Sequence, residues 1–221
     1  MTRFLFALIA LGAITATLAQ DTARLNYADF EQLDKDKRLQ SSRGGKLFFN
    51  SFAQNGANAA KPLPKLLGPQ APLTQRLGFE YEIAAPNAWA EASVKILGLK
   101  DKGFLDDEAK TLLVKAEDMS QYSQLSLDIG ATGTTQVRVR LVSEGNGVDT
   151  GGAFPEQMLT LTNELKNYRL PLSGFAQPTG DWVKKKVKTE QVIKKLTAIQ
   201  ISVLQVPSRG FVVIDNVAFE K

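Results

Sequence analysis

The residues able to do chemistry are few, and the types that are missing narrow the options first. The chain of 221 residues has no histidine and no cysteine. That removes the commonest general base, the usual zinc ligands, the Ser/His/Asp arrangement and all thiol or disulfide chemistry. Carboxylates remain, and glycoside hydrolysis needs two of them flanking a cleft. Glu80 and Glu82 share one face of an alternating segment, and Asp106, Asp107 and Glu108 sit together in a charged connector. Neither group has a partner that spacing places across a cleft. The pattern predicts no catalytic residues and a protein that is not an enzyme.

Polar and aromatic groups suited to binding are set out by strand alternation, because successive side chains of a strand point to opposite faces. Over residues 89–96, Ala90, Ala92, Val94 and Ile96 fall on one side and Trp89, Glu91, Ser93 and Lys95 on the other. If Val137, Val139 and Leu141 face a core, Arg138 and Arg140 face away, and by the same rule Asp128, Gln200 and Ser202 leave their strands outward. An outward indole offers a flat apolar surface to a pyranose ring, while guanidinium, carboxylate and amide groups beside it hydrogen-bond hydroxyls. Trp89, Glu91, Arg138, Arg140 and Gln200 are therefore the predicted ligand-binding residues. Trp182 is expected to pack against the edge of the fold. Lys184, Lys185, Lys186, Lys188, Lys194 and Lys195 read as a solvated cationic face. Its attraction for an anionic glycan, a phosphate-bearing polymer or a membrane surface would be unspecific and would fall with salt.

The elements that must position these groups are strands. Residues 125–129, 135–142, 158–162, 168–172, 198–204 and 211–219 are short, rich in Val, Ile, Leu and Thr, and separated by turn residues. Further strands are expected at 27–31, 46–52, 77–83, 89–96 and 111–115. Such spacing, with no helix between most of the segments, predicts an all-β, two-sheet β-sandwich rather than a βαβ fold. One short helix is expected near Glu190. Residues 55–72 carry Gly56, Pro62, Pro64, Gly68, Pro69 and Pro72, the composition of a long irregular loop.

The first residues read as a secretory signal peptide, 1–19, with a basic start at Arg3, an apolar run over 4–14 and small residues before Gln20. The mature chain, 20–221, is expected to be one domain, exported to the periplasm, the cell surface or the medium. Its charge is mild: without Arg3 there are 26 basic against 23 acidic residues, or +3, where the full chain has +4. No other segment is apolar enough to cross a membrane, and no nucleic-acid-reading motif is present.

Several segments also carry a resemblance. They are Asp29-Phe30-Glu31, Asp118-Met119-Ser120-Gln121-Tyr122 leading into 125–129, Val137-Arg138-Val139-Arg140-Leu141, and Tyr168-Arg169-Leu170-Pro171-Leu172-Ser173-Gly174-Phe175. Leu196-Thr197-Ala198-Ile199-Gln200-Ile201 and Ile214-Asp215-Asn216-Val217 complete the series. In this order they resemble the galactose-binding-like, jelly-roll carbohydrate-binding modules, including relatives of the complex I intermediate-associated protein type. The resemblance implies a jelly-roll sandwich and non-catalytic binding of a carbohydrate or a glycan of the cell envelope. It also implies a structural Ca2+ where the first and last strands meet, with Glu31 and Asp215 at the matching places and Asp29 a weaker third. The alternative, of another class, is a structural or assembly subunit docking onto a cell-envelope protein complex.

Overall fold

The computed structural model describes residues 23–36, 38–53, 61–63, 75–83, 90–100, 114–204 and 207–221. Its strands in chain order are β1 (Arg24–Ala28), β2 (Leu47–Ala53), β3 (Lys61–Leu63), β4 (Leu77–Ile83), β5 (Ala90–Leu97) and β6 (Gln124–Thr132). There follow β7 (Gln136–Val142), β8 (Glu156–Thr160), β9 (Lys166–Pro171), the short helix α1 (Thr189–Ile193), β10 (Ala198–Val203) and β11 (Ser208–Glu220). The expected signal peptide, Trp89, the connector after Lys100 and most of 55–72 lie outside the described residues. Of the strand expected at 111–115, the described part is Val114, which forms a single bridge to Lys100, and Lys115. Among the described residues no helix is long and apolar enough to cross a membrane.

All pairings are antiparallel and fall into two sheets, one ordered β3-β4-β11-β6-β9 with β1 added on β11, the other β2-β5-β10-β7-β8. The chain changes sheet repeatedly, as a jelly-roll sandwich requires. Between β6 and β7 it does so in three residues, where Gly133 turns the corner at φ +78° and a Cβ would lie 2.0 Å from the Arg209 carbonyl oxygen. The long β11 pairs with β4 through Ser208–Ile214 and with β1 from Val217 onward. A bulge between Asp215 and Ala218 makes the change of partner, with Asn216 at φ +49°.

The core lies between the sheets and follows the alternation. Leu77, Phe79, Tyr81 and Ile83 of β4 point inward, as do Ala92, Val94 and Ile96 of β5, Val137, Val139 and Leu141 of β7, and Ile199, Ile201 and Val203 of β10. Each such side chain, fully withdrawn from water, stabilises by about 1.5–3 kcal/mol. At one end of the core Phe219 stands edge-on to Tyr27 at 5.7 Å and tilted against Tyr122 at 6.1 Å. The short strand β3 corrects the expectation of an irregular loop: Lys61–Leu63 pairs with Glu80–Glu82 of β4. Its Pro62 is tolerated because β3 is an edge, where a missing N–H faces outward.

Candidate functional site

The outward face of the β2-β5-β10-β7-β8 sheet gathers the polar side chains that alternation keeps from the core. Register sets them in cross-strand rows. One row runs Phe48, Lys95, Gln200, Arg140, Glu156, and the next runs Asn50, Ser93, Ser202, Arg138, Met158. Glu91 stands opposite Phe52 in a third.

The centre of this face is an ionic cluster. The Gln200 amide donates to Glu91 Oε1 at 3.2 Å and to Ser93 Oγ at 2.9 Å. Arg138 Nη2 donates to Glu91 Oε2, and Arg140 Nη1 lies 3.5 Å from the same oxygen. Glu156 Oε2 accepts from Arg140 Nε at 2.9 Å and lies 3.5 Å from Arg138 Nε. Two guanidinium and two carboxylate groups give the cluster no net charge. Burial, and then the charge of Arg140, pull the Arg138 pKa below its usual value, while Glu91 and Glu156 oppose the shift. Arginine's ordinary value is high enough to keep the charge at neutral pH.

Exposure shows that the centre of the face is covered and its two outer strands are open. Glu91, Arg138, Arg140 and Gln200 are 5, 6, 7 and 4 % exposed, whereas Phe52 and Met158 on the two outer strands are 50 and 48 % exposed. This strip of covered polar side chains, the trough, runs between two exposed apolar ones, its lips. At one end a second apolar cluster closes it, formed by Leu97, Val114, Val142, Phe154 and Ala198 with Phe48 packed against them. There the Lys95 ammonium donates to Glu144 Oε2 at 2.7 Å and sits 5.9 Å from the Phe154 ring centre. A cleft of about 410 Å3 opens beside Lys95, Asn50 and Phe48.

Of the five predicted ligand-binding residues, the structure brings Glu91, Arg138, Arg140 and Gln200 together, and Trp89 lies outside the described residues. The sequence placed these four on the right face but pointed them at solvent. They are instead buried and paired, because alternation fixes the side of a strand and not the depth of the sheet. Glu156 and the two lips were missed. Counting back from Thr160 in steps of two reaches Met158 and Glu156, so the same alternation would have found them had the strand been started earlier. Trp182 also differs from expectation: it is 51 % exposed and not packed against the sandwich edge.

The residues suggested for calcium lie on the opposite sheet. Asp215 faces outward beside Asp128, its register partner, and its carboxyl pKa is pushed up to about 6. Burial is the main cause, opposed by the Asn216 N–H and by Arg76, and reinforced by Asp128 and Glu31. Arg76 Nε lies 3.6 Å from Asp215 Oδ2, and Glu31 Oε1 accepts the Gln75 N–H at 3.0 Å. Asp29 accepts from Ser42 and Asn26. Calcium takes six to eight oxygens. Here a guanidinium stands beside the most buried carboxylate of the set, and among the described residues no group of three or more His, Cys, Asp or Glu side chains is placed to hold a metal ion. The donor set does not fit a resident Ca2+.

No protein-family model matches the chain, and no curated protein matches it. Solved structures do. The family 11 carbohydrate-binding module of a cellulosomal cellulase from Clostridium thermocellum is similar over 89% of this chain and 94% of its own, with a TM-score of 0.53 and 17% identity. A family 11 module from that bacterium in complex with a β-1,3-1,4-mixed-linked tetrasaccharide gives a TM-score of 0.54 at 17% identity, over 89% of this chain and 95% of its own. At such identities the likeness is one of fold: this chain has the jelly-roll β-sandwich of carbohydrate-binding modules.

Proposed function

We propose that the chain is a non-catalytic carbohydrate-binding module, exported from the cell, that takes a neutral glycan along the trough of the β2-β5-β10-β7-β8 sheet. One observation carries this reading: Glu91, Arg138, Arg140 and Gln200, from three different strands, converge at the covered centre of a face outside the core. Sugar hydroxyls donate and accept at once, and the cluster offers both kinds of partner. Because the side chains already hold one another, little rotamer freedom is lost when a ligand arrives. Phe52 and Met158 supply apolar area for the faces of pyranose rings. The zero net charge of the cluster favours a neutral chain over an acidic one. A mixed-linked β-glucan fragment, the ligand held by one fold neighbour, is the first to try.

Calorimetric titration of the full chain with neutral β-glucans and galactans tests the reading. Saturable binding is expected for at least one, weakened about tenfold by Gln200→Ala or Phe52→Ala, each on a face where anchors dominate affinity. Heat that stays flat across the whole panel would end the proposal. Export is tested separately, by the N-terminal sequence of protein recovered outside the cytoplasm, which should begin near Gln20.

A further inference from the structure

Between β9 and α1 the chain forms a loop that the trough does not use. Gln177 staples it: its Nε2 donates to the carbonyls of Ala153 at 2.8 Å and Lys185 at 2.7 Å, and its Oε1 accepts the Val187 N–H at 3.0 Å. Inside the staple, the Val183 N–H donates to the Gly180 carbonyl at 3.0 Å, so Asp181 and Trp182 form the corner of a tight turn. Gly180 has φ +148°, and a Cβ there would come within 2.9 Å of Trp182 Cδ1 and 3.0 Å of Nε1. The indole therefore rests over a bare Cα and stays half exposed. A large aromatic held open on an ordered turn gains little from folding, and exposed apolar surface of this kind marks interaction sites.

A groove of about 810 Å3 lies beside the turn, lined by Pro178, Asp181, Val183, Lys186, Val187 and Lys188 among others. That volume falls in the range of about 300–1,000 Å3 common for small-ligand sites. The charge is one-sided. Residues 177–188 hold Lys184, Lys185, Lys186 and Lys188 against Asp181 alone. Lys185 pairs with Asp149, while Lys184, Lys186 and Lys188 are exposed and form no ion pair among the described residues.

We propose that this loop is a second binding site, separate from the trough, for an anionic glycan. One pyranose ring lies on the Trp182 indole, and its carboxylate or sulfate meets Lys184, Lys186 or Lys188. Stacking supplies the apolar contact and the lysines select against neutral chains. A concave groove beside a single indole fits a discrete chain better than a flat lipid surface. The site does not depend on the trough binding anything.

The test uses the full chain, the variants Trp182→Ala and Lys184→Gln/Lys186→Gln, and four probes. These are polygalacturonate, a sulfated galactan, a neutral mixed-linked β-glucan, and vesicles of phosphatidylglycerol with phosphatidylcholine. Both variants should weaken binding of one or both acidic polymers about tenfold, since a stacked aromatic and its flanking charges act as anchors. Whichever acidic polymer binds identifies the carboxylate or the sulfate as the group recognised. Raising the ionic strength from about 0.05 M to about 0.3 M should weaken it further by screening. Binding of the neutral glucan, if present, should be unchanged in both variants, so failure of the trough and failure of the loop are told apart. The inference is overturned if the acidic polymers do not bind, or if Trp182→Ala binds them like the wild type and only the lysines matter, which is ion exchange. It is equally overturned if the vesicles bind in a Trp182-dependent way and the polymers do not, or if Trp182→Ala abolishes neutral glucan binding. Trp182 is exposed, and matching circular-dichroism melts confirm that its variant is folded.

Discussion

Replacing Glu91 by Gln keeps the side chain's size and removes the charge that holds the middle of the trough. In the native chain one Glu91 oxygen faces Arg138 and Arg140 and the other accepts from Gln200. After the change, the two buried guanidinium groups keep Glu156, 2.9 Å from Arg140 and 3.5 Å from Arg138, but lose the Glu91 charge between them. An exposed pair would matter by about 1 kcal/mol or less. Here the side chains of Glu91 and Arg138 are each 7 % exposed. Removing one partner of so buried a pair costs about 3–5 kcal/mol, because the surviving charge keeps its desolvation and loses its compensation. For a chain of this size a kilocalorie moves the midpoint by about 2–4 °C, so Glu91→Gln should melt about 6–20 °C below the wild type. The double variant Glu91→Met/Arg138→Met removes one charge of each sign and leaves the Arg140–Glu156 pair intact. It should recover most of the loss, since apolar replacement of a buried pair is often neutral or better. Circular-dichroism melts and urea titrations at neutral pH measure both. A loss below about 1 kcal/mol for Glu91→Gln, or a double variant no more stable than the single one, refutes the view that this cluster is desolvated and self-compensating.

Asp215, with its pKa pushed up to about 6 from 3.8, holds a proton between about pH 4 and pH 6 in the folded chain that the unfolded chain has already lost. Its contribution to stability is thus full below about pH 4 and is lost as pH rises through about 6. Asp215→Asn should gain about 1 kcal/mol over the wild type at about pH 7.5, a figure reduced for screening, and nothing at about pH 4; equal differences at the two pH values refute this. Phe219→Ala, which empties the contact with Tyr27 and Tyr122, should cost about 3–5 kcal/mol in urea unfolding, and a cost under about 1 kcal/mol would contradict the described core. Gly133→Ala places a Cβ 2.0 Å from a backbone oxygen at φ +78° and should cost at least about 2 kcal/mol by the same measurement. Excess EDTA or added Ca2+ should leave the melting midpoint unchanged, because Glu31 and Asp215 do not form a calcium-competent set; a calcium-dependent rise would show that they do.

Much of the fold was legible because strand chemistry is written locally. The segment Leu77-Gly78-Phe79-Glu80-Tyr81-Glu82-Ile83 alternates in the sequence and forms β4 over the same residues. In β5, β7 and β10 the assignment of Glu91, Arg138, Arg140 and Gln200 to the outer face was correct. Boundaries were less legible. The strand expected at 158–162 is β8 at Glu156–Thr160, a slip of two residues that left the face unchanged but omitted Glu156. β3 was hidden by Pro62, since a proline-rich stretch reads as irregular until an edge position makes the missing donor harmless. Trp182 was misjudged for a related reason: nothing in its neighbours' types reveals that Gly180 and the Gln177 staple hold its ring open.

By itself the sequence determined which side chains share a face and, through the absence of histidine and cysteine, which chemistries are closed to this protein. Both follow from covalent structure, the two-residue repeat of an extended chain and the inventory of functional groups. Tertiary structure alone decided that β10 lies between β5 and β7, so that Glu91 reaches Arg138 from 47 positions away. It alone decided that the centre of the face they share is covered while Trp182 stands open. Strand order and depth arise from long-range pairing and packing, which no local pattern encodes.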